Sequence, residues 1–292
     1  MKIIHTVAEL QATIRELRLA GKTIGFTPTM GALHSGHMTL MTHTKAENDI
    51  AVCSVFVNPT QFNESTDLES YPRTLEADAK LLTANGADIL FAPSVGEVYP
   101  DGTEASVSVD LEGLDEQMEG AFRPGHFAGV VQVVHRLLEI VTPDSLYMGQ
   151  KDFQQFTIIA KMIANLAMDV DLRVVPIVRA EDGLALSSRN VRLTAHHREI
   201  SSTIYRVLKA VKRKKYQLTV DELEQYAMAR LAKSGDLNPE YVTIADGYKL
   251  TPIKHVRDSE YAVVCVAVWA GDVRLIDNLI LRKPRSLKIF VK

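Results

Sequence analysis

Short apolar runs alternate with segments of helical periodicity along the first 179 residues, and this alternation restricts the fold more than any other feature. The run at 50–57 is almost unbroken, which is typical of a strand covered on both faces. Helix-length segments of about 10–15 residues separate such runs, which indicates βαβ units and a parallel sheet. The predicted strands are 22–27, 50–57, 88–92, 145–148 and 172–178.

The intervening segments have the apolar spacing of amphipathic helices. They are predicted at 7–19, 38–48, 75–85, 129–141 and 153–166, with Gly21 and Gly86 ending the first and third. We therefore expect an α/β fold with a Rossmann-like, doubly wound parallel sheet.

The pattern changes beyond residue 179. Two charged helices are predicted at 195–215 and 220–233, followed by strands at 241–245, 261–268 and 273–276. We expect a Rossmann-like domain at 1–179 and a smaller α+β domain at 180–292 that acts as a lid. A further short strand is predicted at 105–109, and the basic tail at 282–292 is interpreted as a loosely held extension without a role.

Composition excludes several classes of protein. The chain has 292 residues, of which 46% are apolar and 24% charged, and its net charge of −3 gives no support for a nucleic-acid partner. Cys53 and Cys265 lie in apolar runs, which predicts buried thiols and a reducing compartment. No apolar run approaches the roughly 20 residues of a membrane helix. We expect a cytoplasmic protein without a membrane partner.

The segment 28–37 joins the first predicted strand to a helix through a glycine-containing turn. In this arrangement open backbone N–H groups and a helix dipole face an anion, and a nucleotide phosphate suits it best. His34 and His37 add side-chain donors to the turn. Two other interpretations remain open: the histidines could cap the helix, or ligate a metal, although no third ligand is close in sequence.

Polar side chains also follow three other predicted strands. Asn58 and Gln61 follow the second, Lys151 and Asp152 the fourth, and Ser187, Ser188 and Arg189 the fifth. Because parallel strands end at one edge of a sheet, near the switch point where ligands bind, these clusters are expected to converge. Each has a simpler alternative: a solvated lysine, a helix N-cap at Asp152, surface glutamines and a polar linker.

Six segments, in order along the chain, resemble the pantoate–β-alanine ligase family of the adenylate-forming nucleotidyltransferase superfamily. They are Pro-Thr-Met-Gly-Ala-Leu-His-Ser-Gly-His at 28–37, Phe-Val-Asn-Pro-Thr-Gln-Phe at 56–62, Tyr-Pro-Arg-Thr at 71–74, Arg-Pro-Gly-His-Phe at 123–127, Gly-Gln-Lys-Asp-Phe-Gln-Gln at 149–155 and Gly-Leu-Ala-Leu-Ser-Ser-Arg-Asn at 183–190. The resemblance extends to about residue 278.

This resemblance implies ATP-dependent joining of pantoate to β-alanine through a pantoyl adenylate, which yields pantothenate, AMP and pyrophosphate. It also implies Mg²⁺ as the companion of ATP and a homodimer. Because negative charge builds up on phosphoryl oxygens during adenylation, donors directed at them lower the barrier. Mg²⁺ is expected to be held largely by the phosphates, and Asp78, expected to be an exposed helix acid, is only a weak ligand candidate.

The resemblance also implies roles for individual residues. His37, His34 and Lys151 are the expected catalytic residues, with His37 the proton donor. Gln61 is expected to bind pantoate and β-alanine, Gln155 to bind pantoate, and Asn58 to accompany them. The expected ATP-binding residues are Met30, Gly31, Ala32, Leu33, His34, Ser35, Gly36, His37, Gly149, Gln150, Lys151, Asp152, Val178, Leu186, Ser187, Ser188 and Arg189.

The sequence departs from the family pattern at Gln132, where the family often has Thr. Other members of the superfamily fit less well. A cytidylyltransferase would lack Gln61 and the C-terminal module, and a tRNA synthetase would carry larger insertions and a basic RNA-binding region. A non-catalytic nucleotide-binding protein would be expected to have lost His34, His37 or Lys151.

Overall fold

The computed structural model describes residues 1–62, 68–69, 71–104 and 107–284. Its larger sheet has six strands, all parallel. They are β1 (Lys2–Ile4), β2 (Ile24–Thr29), β3 (Ile50–Val55), β4 (Ile89–Phe91), β5 (Ser145–Gly149) and β6 (Asp171–Val175). The prediction of a Rossmann-like parallel sheet is confirmed.

The strand order in this sheet is β1-β4-β3-β2-β5-β6. From β2 the chain adds β3 and β4 on one side, then returns to place β5 and β6 on the other. The switch point therefore lies between β2 and β5, and ligands bind at the carboxyl ends of strands at such a point. Gly25 pairs with Ser145, so β2 and β5 end level with each other, at Thr29 and Gly149.

The edge strand β1 was missed by the sequence analysis. It has only three residues, which is too short for a periodic signal, and Ile4 alone is fully buried. Pairing with β4, from Lys2–Ile89 to Ile4–Phe91, holds it in the sheet. Two other predicted strands end earlier than expected. The second ends at Val55, ahead of Pro59, and the fifth ends at Val175, because Pro176 has no N–H for the ladder.

Helices connect these strands, and a buried helix packs against the sheet and against the turn at Pro59–Gln61. This helix, α6 (His126–Val141), has twelve buried residues among its sixteen. The bounds are α1 (Val7–Leu19), α2 (Ser35–Glu47), α3 (Leu75–Ala84), α4 (Val95–Val98), α5 (Glu119–Phe122), α6 (His126–Val141) and α7 (Phe153–Asn165).

The smaller sheet is antiparallel, in the order β7-β8-β9, and confirms the predicted α+β character of the C-terminal part. Its strands are β7 (Leu237–Asp246), β8 (Ala262–Ala270) and β9 (Val273–Arg282), with α8 (Ala195–Ile200), α9 (Ser202–Lys214) and α10 (Val220–Ala232) before them. The last strand extends well beyond the predicted end at residue 276, so the predicted tail begins inside β9.

The helix predicted at 195–215 is divided in two at Ser201. This side chain is completely buried, and its hydroxyl donates to the His197 carbonyl at 2.6 Å. Such a bond competes with the helical ladder and bends or interrupts it. Two shorter helices therefore replace the predicted one.

The chain divides into two compact units. The first comprises Met1–Gln150 and Gln155–Val175; the second comprises Lys151–Gln154 and 176–284 of the described residues. The predicted boundary at residue 179 and the lid role stay predictions. Residues 105–106 of the predicted strand at 105–109 and 285–292 of the tail lie outside the described residues.

Both cysteines are buried, as predicted. Burial raises the pKa of the Cys53 thiol to about 12, so it is neutral at physiological pH. No helix within the described ranges has the length and hydropathy needed to span a membrane.

Candidate active site

The turn after β2 has a left-handed backbone at two consecutive residues. Gly31 has φ 82° and Ala32 has φ 49°. A Cβ at Gly31 would lie 3.0 Å from both Asp78 Oδ2 and Val55 Cγ1, so glycine suits this position. Ala32 has no such freedom. Its conformation costs on the order of 1 kcal/mol, and surrounding contacts have to offset this cost.

The backbone N–H groups of this turn are already engaged. Gly31 N–H donates to Thr29 Oγ1 at 3.2 Å, while Ala32 and Leu33 donate to the Asp78 carboxylate at 3.1 and 2.8 Å. The expectation of open amides facing an anion is therefore wrong for residues 31–33. These three N–H groups shape the turn and are engaged within the protein.

His34 and His37 form a reciprocal capping box at the start of α2. Gly36 N–H donates to His34 Nδ1 at 3.1 Å, and His34 N–H donates to His37 Nδ1 at 3.3 Å. An Nδ1 that accepts carries no proton, so the neutral form of each ring carries its proton on Nε2. The ring centroids lie 4.1 Å apart. The capping interpretation is thus confirmed, and capping itself turns both Nε2–H groups into donors beside the helix N-terminus.

Asn58 organises the turn at Pro59–Gln61 (a 3-10 turn after β3). It is 1% exposed; its Nδ2 donates to the Gly129 carbonyl at 3.2 Å, and its Oδ1 accepts from the Tyr99 hydroxyl at 3.0 Å. Its Nδ2 also lies 3.4 Å from Gln61 Oε1. The structure therefore gives Asn58 a supporting position behind Gln61 and no exposed surface for a substrate.

Gln61 is held from both ends. Its Nε2 donates to the Met30 sulfur at 2.8 Å, which ties it to the turn after β2. The backbone carbonyl of Gln61 accepts from His126 Nδ1 at 2.9 Å. Arg123 Nη1 in turn donates to His126 Nε2 at 3.1 Å. Because arginine only donates, His126 Nε2 accepts and the proton lies on Nδ1.

Gly129 allows α6 to approach this turn closely. A Cβ at that position would lie 2.3 Å from the Thr60 carbonyl oxygen. The segment at 123–127 and Gly129 therefore hold the turn that carries Gln61. Gln132, the departure on the same helix, is 4% exposed and donates to the carbonyls of Thr103 and Glu104 at 3.0 Å each.

Asp78 is not the exposed helix acid that the sequence analysis expected, since it is 1% exposed. Its two oxygens accept hydrogen bonds from Ala32, Leu33 and the Thr74 hydroxyl, the last at 3.1 Å. This arrangement suits the binding of a backbone turn better than the binding of a metal. In the part of the chain that the structure describes, no three His, Cys, Asp or Glu residues cluster as metal ligands.

The second unit contains Lys151 and the loop after β6. The Lys151 side chain is 19% exposed, and its Nζ lies 3.5 Å from Asp152 Oδ1. Its backbone carbonyl accepts from Asn278 Nδ2 at 2.9 Å. Asp152 therefore offsets part of the positive charge of Lys151 at this helix start. From the sequence, a bound anion was expected to have that role.

A buried ion pair shapes the loop that leads to Ser187. Arg179 donates to both Asp277 oxygens, at 2.6 and 2.8 Å, and to the Gly183 carbonyl at 3.0 Å, and it stacks over Tyr205 at 3.8 Å. Burial raises the pKa of Asp277, and the hydrogen bonds from Arg179 oppose that rise. The pair was missed because 98 residues separate its members.

The predicted phosphate-binding loop is a short backbone hairpin followed by a 3-10 turn. Leu186 N–H donates to the Val178 carbonyl at 3.0 Å, and Ser187 Oγ caps Arg189 N–H at 3.3 Å. The turn covers Ser188–Arg192. Val178 and residues 186–189 are all half-buried and so remain accessible to a ligand.

The remaining predicted residues lie at strand and helix ends of the first unit. Gly149 ends β5, and Gln150 N–H donates to the Val175 carbonyl at 2.8 Å, continuing the pairing with β6. Gln155 is half-buried in the first turn of α7. Within the first unit, the structure brings Met30, His34, His37 and Gln61 together around the turn at the switch point.

The first unit is thus an α/β sheet with a pair of Nε2–H histidines at its switch point. The family model described as pantoate-beta-alanine ligase matches residues 2–280. The chain belongs to the pantoate–β-alanine ligase family, and the resemblance inferred from its sequence is confirmed.

Relatives and solved structures agree with this membership. Pantothenate synthetase of Bacteroides fragilis is 48% identical over 279 residues, covering 96% of this chain and 98% of that protein. That of Porphyromonas gingivalis is 47% identical, covering 96% and 99%. The pantothenate synthetase structure from Thermus thermophilus has a TM-score of 0.90 at 41% identity, covering 97% of this chain and all of that one. The Francisella tularensis pantoate-beta-alanine ligase, complexed with beta-gamma ATP and beta-alanine, has a TM-score of 0.79 at 34% identity, covering 96% and 98%.

Proposed function

We propose that this chain is a carbon–nitrogen ligase that joins pantoate to β-alanine at the expense of ATP. A pantoate carboxylate oxygen attacks the α-phosphorus of ATP, the bond to the β-phosphate oxygen breaks, and pyrophosphate leaves. The neutral β-alanine amine then attacks the acyl carbon of pantoyl adenylate, loses a proton, and displaces AMP. Family membership supports these substrates, as do the beta-gamma ATP and beta-alanine with which the Francisella tularensis relative is complexed.

The observation that carries the reaction type is the pair of Nε2–H donors, His34 and His37, at the switch point. Charge on the phosphoryl oxygens and the leaving pyrophosphate increases as the bond to the β-phosphate breaks. Donors fixed by the backbone need no reorganisation at that moment, so they stabilise the transition state more than the ground state. We assign His37 as the hydrogen-bond donor to the leaving pyrophosphate through its Nε2–H, with His34 and Lys151 as the other catalytic residues.

Further roles are assigned by family membership. ATP contacts are assigned to the turn at 30–37, to 149–152, to Val178 and to 186–189. Pantoate and β-alanine are assigned to Gln61, and pantoate to Gln155, because a neutral amide both donates and accepts without holding the carboxylate too tightly before attack. Asn58 supports Gln61 from behind.

Mg²⁺ is proposed to arrive with the ATP phosphates, and no residue of the chain is assigned to it, since Asp78 is engaged by the turn. A cytoplasmic location and a homodimer stay predictions from the family.

The test is exchange of labelled pyrophosphate into ATP. With pantoate and without β-alanine, the protein is expected to catalyse this exchange, because adenylate formation is reversible before the amine enters. Adding β-alanine is expected to release AMP stoichiometrically with pantothenate. Exchange that proceeds equally well without pantoate would contradict the substrate assignment.

A further inference from the structure

Asp78 is a buried carboxylate with two partners in the turn after β2 and a third, Thr74, at the N-cap of its own helix. It is 1% exposed in the first turn of α3, and within the described ranges no Lys or Arg forms an ion pair with it. Buried acids without a cation are costly unless hydrogen bonds satisfy them. Here the donors are Ala32 N–H, Leu33 N–H and the Thr74 hydroxyl, at 3.1, 2.8 and 3.1 Å.

These partners hold a backbone conformation that residues 31–33 would not adopt by themselves. Ala32 lies in the left-handed region, where an alanine is strained, directly after Gly31 in the same region. Without Asp78 the two N–H groups would lose their acceptors, and relaxation of Ala32 to a normal φ would redirect the chain entering His34. Strain of this kind persists only where surrounding groups determine it.

The conformation of this turn also determines where the imidazole rings of His34 and His37 lie. His34 is the N-cap of α2, so its extended backbone has to enter the helix at one angle for its Nδ1 to accept from Gly36. His37 Nδ1 accepts from the His34 N–H, so the second ring depends on the same entry angle. A shift of the turn would therefore move both Nε2–H donors together.

We propose that Asp78 is a positioning residue for the nucleotide: it acts through residues 31–33 to orient His34 and His37, and it touches neither ATP nor metal. The inference rests on the proposed function. The positioning role of Asp78 also explains why a carboxylate lies next to a turn that is proposed to bind the ATP phosphates. Hydrogen bonds from the turn itself stabilise that charge.

The test compares Asp78→Asn with the wild-type protein in pyrophosphate exchange. The asparagine keeps the shape and one acceptor, but its amide N–H faces an N–H of the turn. We expect kcat/KM for ATP to fall about 10- to 100-fold, with the KM for pantoate changed less than twofold, because misplaced donors affect the phosphates first. The Mg²⁺ concentration giving half-maximal rate is expected to stay within twofold.

Asp144→Asn is the control; this carboxylate is 40% exposed in its side chain and also pairs with Arg18. Its carboxylate accepts from Ile24 N–H at 2.7 Å at the opposite, amino-terminal edge of the same sheet. It is expected to lower the midpoint of thermal unfolding without changing the KM for ATP. Thr74→Val, which removes one bond to Asp78 and leaves its charge, is expected to raise the KM for ATP two- to fivefold and supplies the test if Asp78→Asn does not fold.

Three results would overturn the inference while wild-type exchange is normal. They are an unchanged kcat/KM for ATP in both Asp78→Asn and Thr74→Val, an equal loss of kcat/KM in Asp144→Asn, or a raised Mg²⁺ requirement, which would make Asp78 a metal ligand. Absence of exchange in the wild-type protein would instead contradict the proposed function.

Discussion

His37→Asn is expected to lower kcat in pyrophosphate exchange by about 10²- to 10³-fold, the usual cost of removing one donor directed at a developing charge. Asn Oδ1 takes the place of His37 Nδ1, which accepts from the His34 N–H at 3.3 Å. The variant can therefore keep this hydrogen bond. The free energy of unfolding should therefore change by less than about 1 kcal/mol. Steady-state exchange and chemical denaturation measure the two quantities.

His37→Gln is the converse variant: it is expected to keep a donor near the position of Nε2 and to lose the acceptor at Nδ1. Its amide N–H reaches toward the former Nε2 position but offers no acceptor at Nδ1. We expect a smaller loss in kcat and a larger loss in stability, of about 1 kcal/mol. His43→Gln, on the same helix and 46% exposed in its side chain, is the control and should leave both unchanged. Equal activity in His37→Asn and wild type would contradict the role of Nε2–H.

Lys151→Met is expected to lower kcat/KM for ATP by about 10²-fold, because it removes a positive charge without changing the length of the side chain. Lys151→Arg should recover only part of this loss, since a guanidinium differs from a point charge in shape and donor geometry. Exchange rates over a range of ATP concentrations measure both variants.

Lys161→Met is a closely matched control for this variant. Lys161 lies on α7, its side chain is 18% exposed against 19% for Lys151, and its Nζ also has an acidic partner, Glu112 Oε1 at 2.6 Å. It is expected to retain wild-type activity. Equal losses in Lys151→Met and Lys161→Met would indicate that the effect arises from packing or stability and not from charge on the nucleotide.

The sequence contained enough information for the α/β architecture because the decisive signals are local. Buried strands such as β3 and amphipathic or apolar helices such as α6 are visible as periodicity, and their alternation implies a parallel sheet. The three-residue β1 has no such signal. Likewise, the break at Ser201 depends on burial and on a hydrogen bond to His197, which helical periodicity does not contain.

The sequence predicted candidate site residues that the structure brings together in the first unit, but not the hydrogen bonds that support them. Motifs identified His34, His37 and Gln61, whereas their supports lie far away in sequence: Asp78 is 46 residues from Ala32, and His126 is 65 from Gln61. The sequence also suggested open amides in the turn, because a local pattern cannot show that a distant carboxylate occupies them. No local pattern marks Asp78, because its burial and its contacts with the turn arise only from the fold.

The most direct test of the proposed adenylate is the fate of pantoate oxygen. With both carboxylate oxygens of pantoate labelled with ¹⁸O, attack on the α-phosphorus and later displacement by β-alanine leave one labelled oxygen in AMP and one in pantothenate. We expect one ¹⁸O per AMP and none in pyrophosphate, measured by mass spectrometry. Unlabelled AMP, or label in orthophosphate accompanied by ADP, would contradict a pantoyl adenylate.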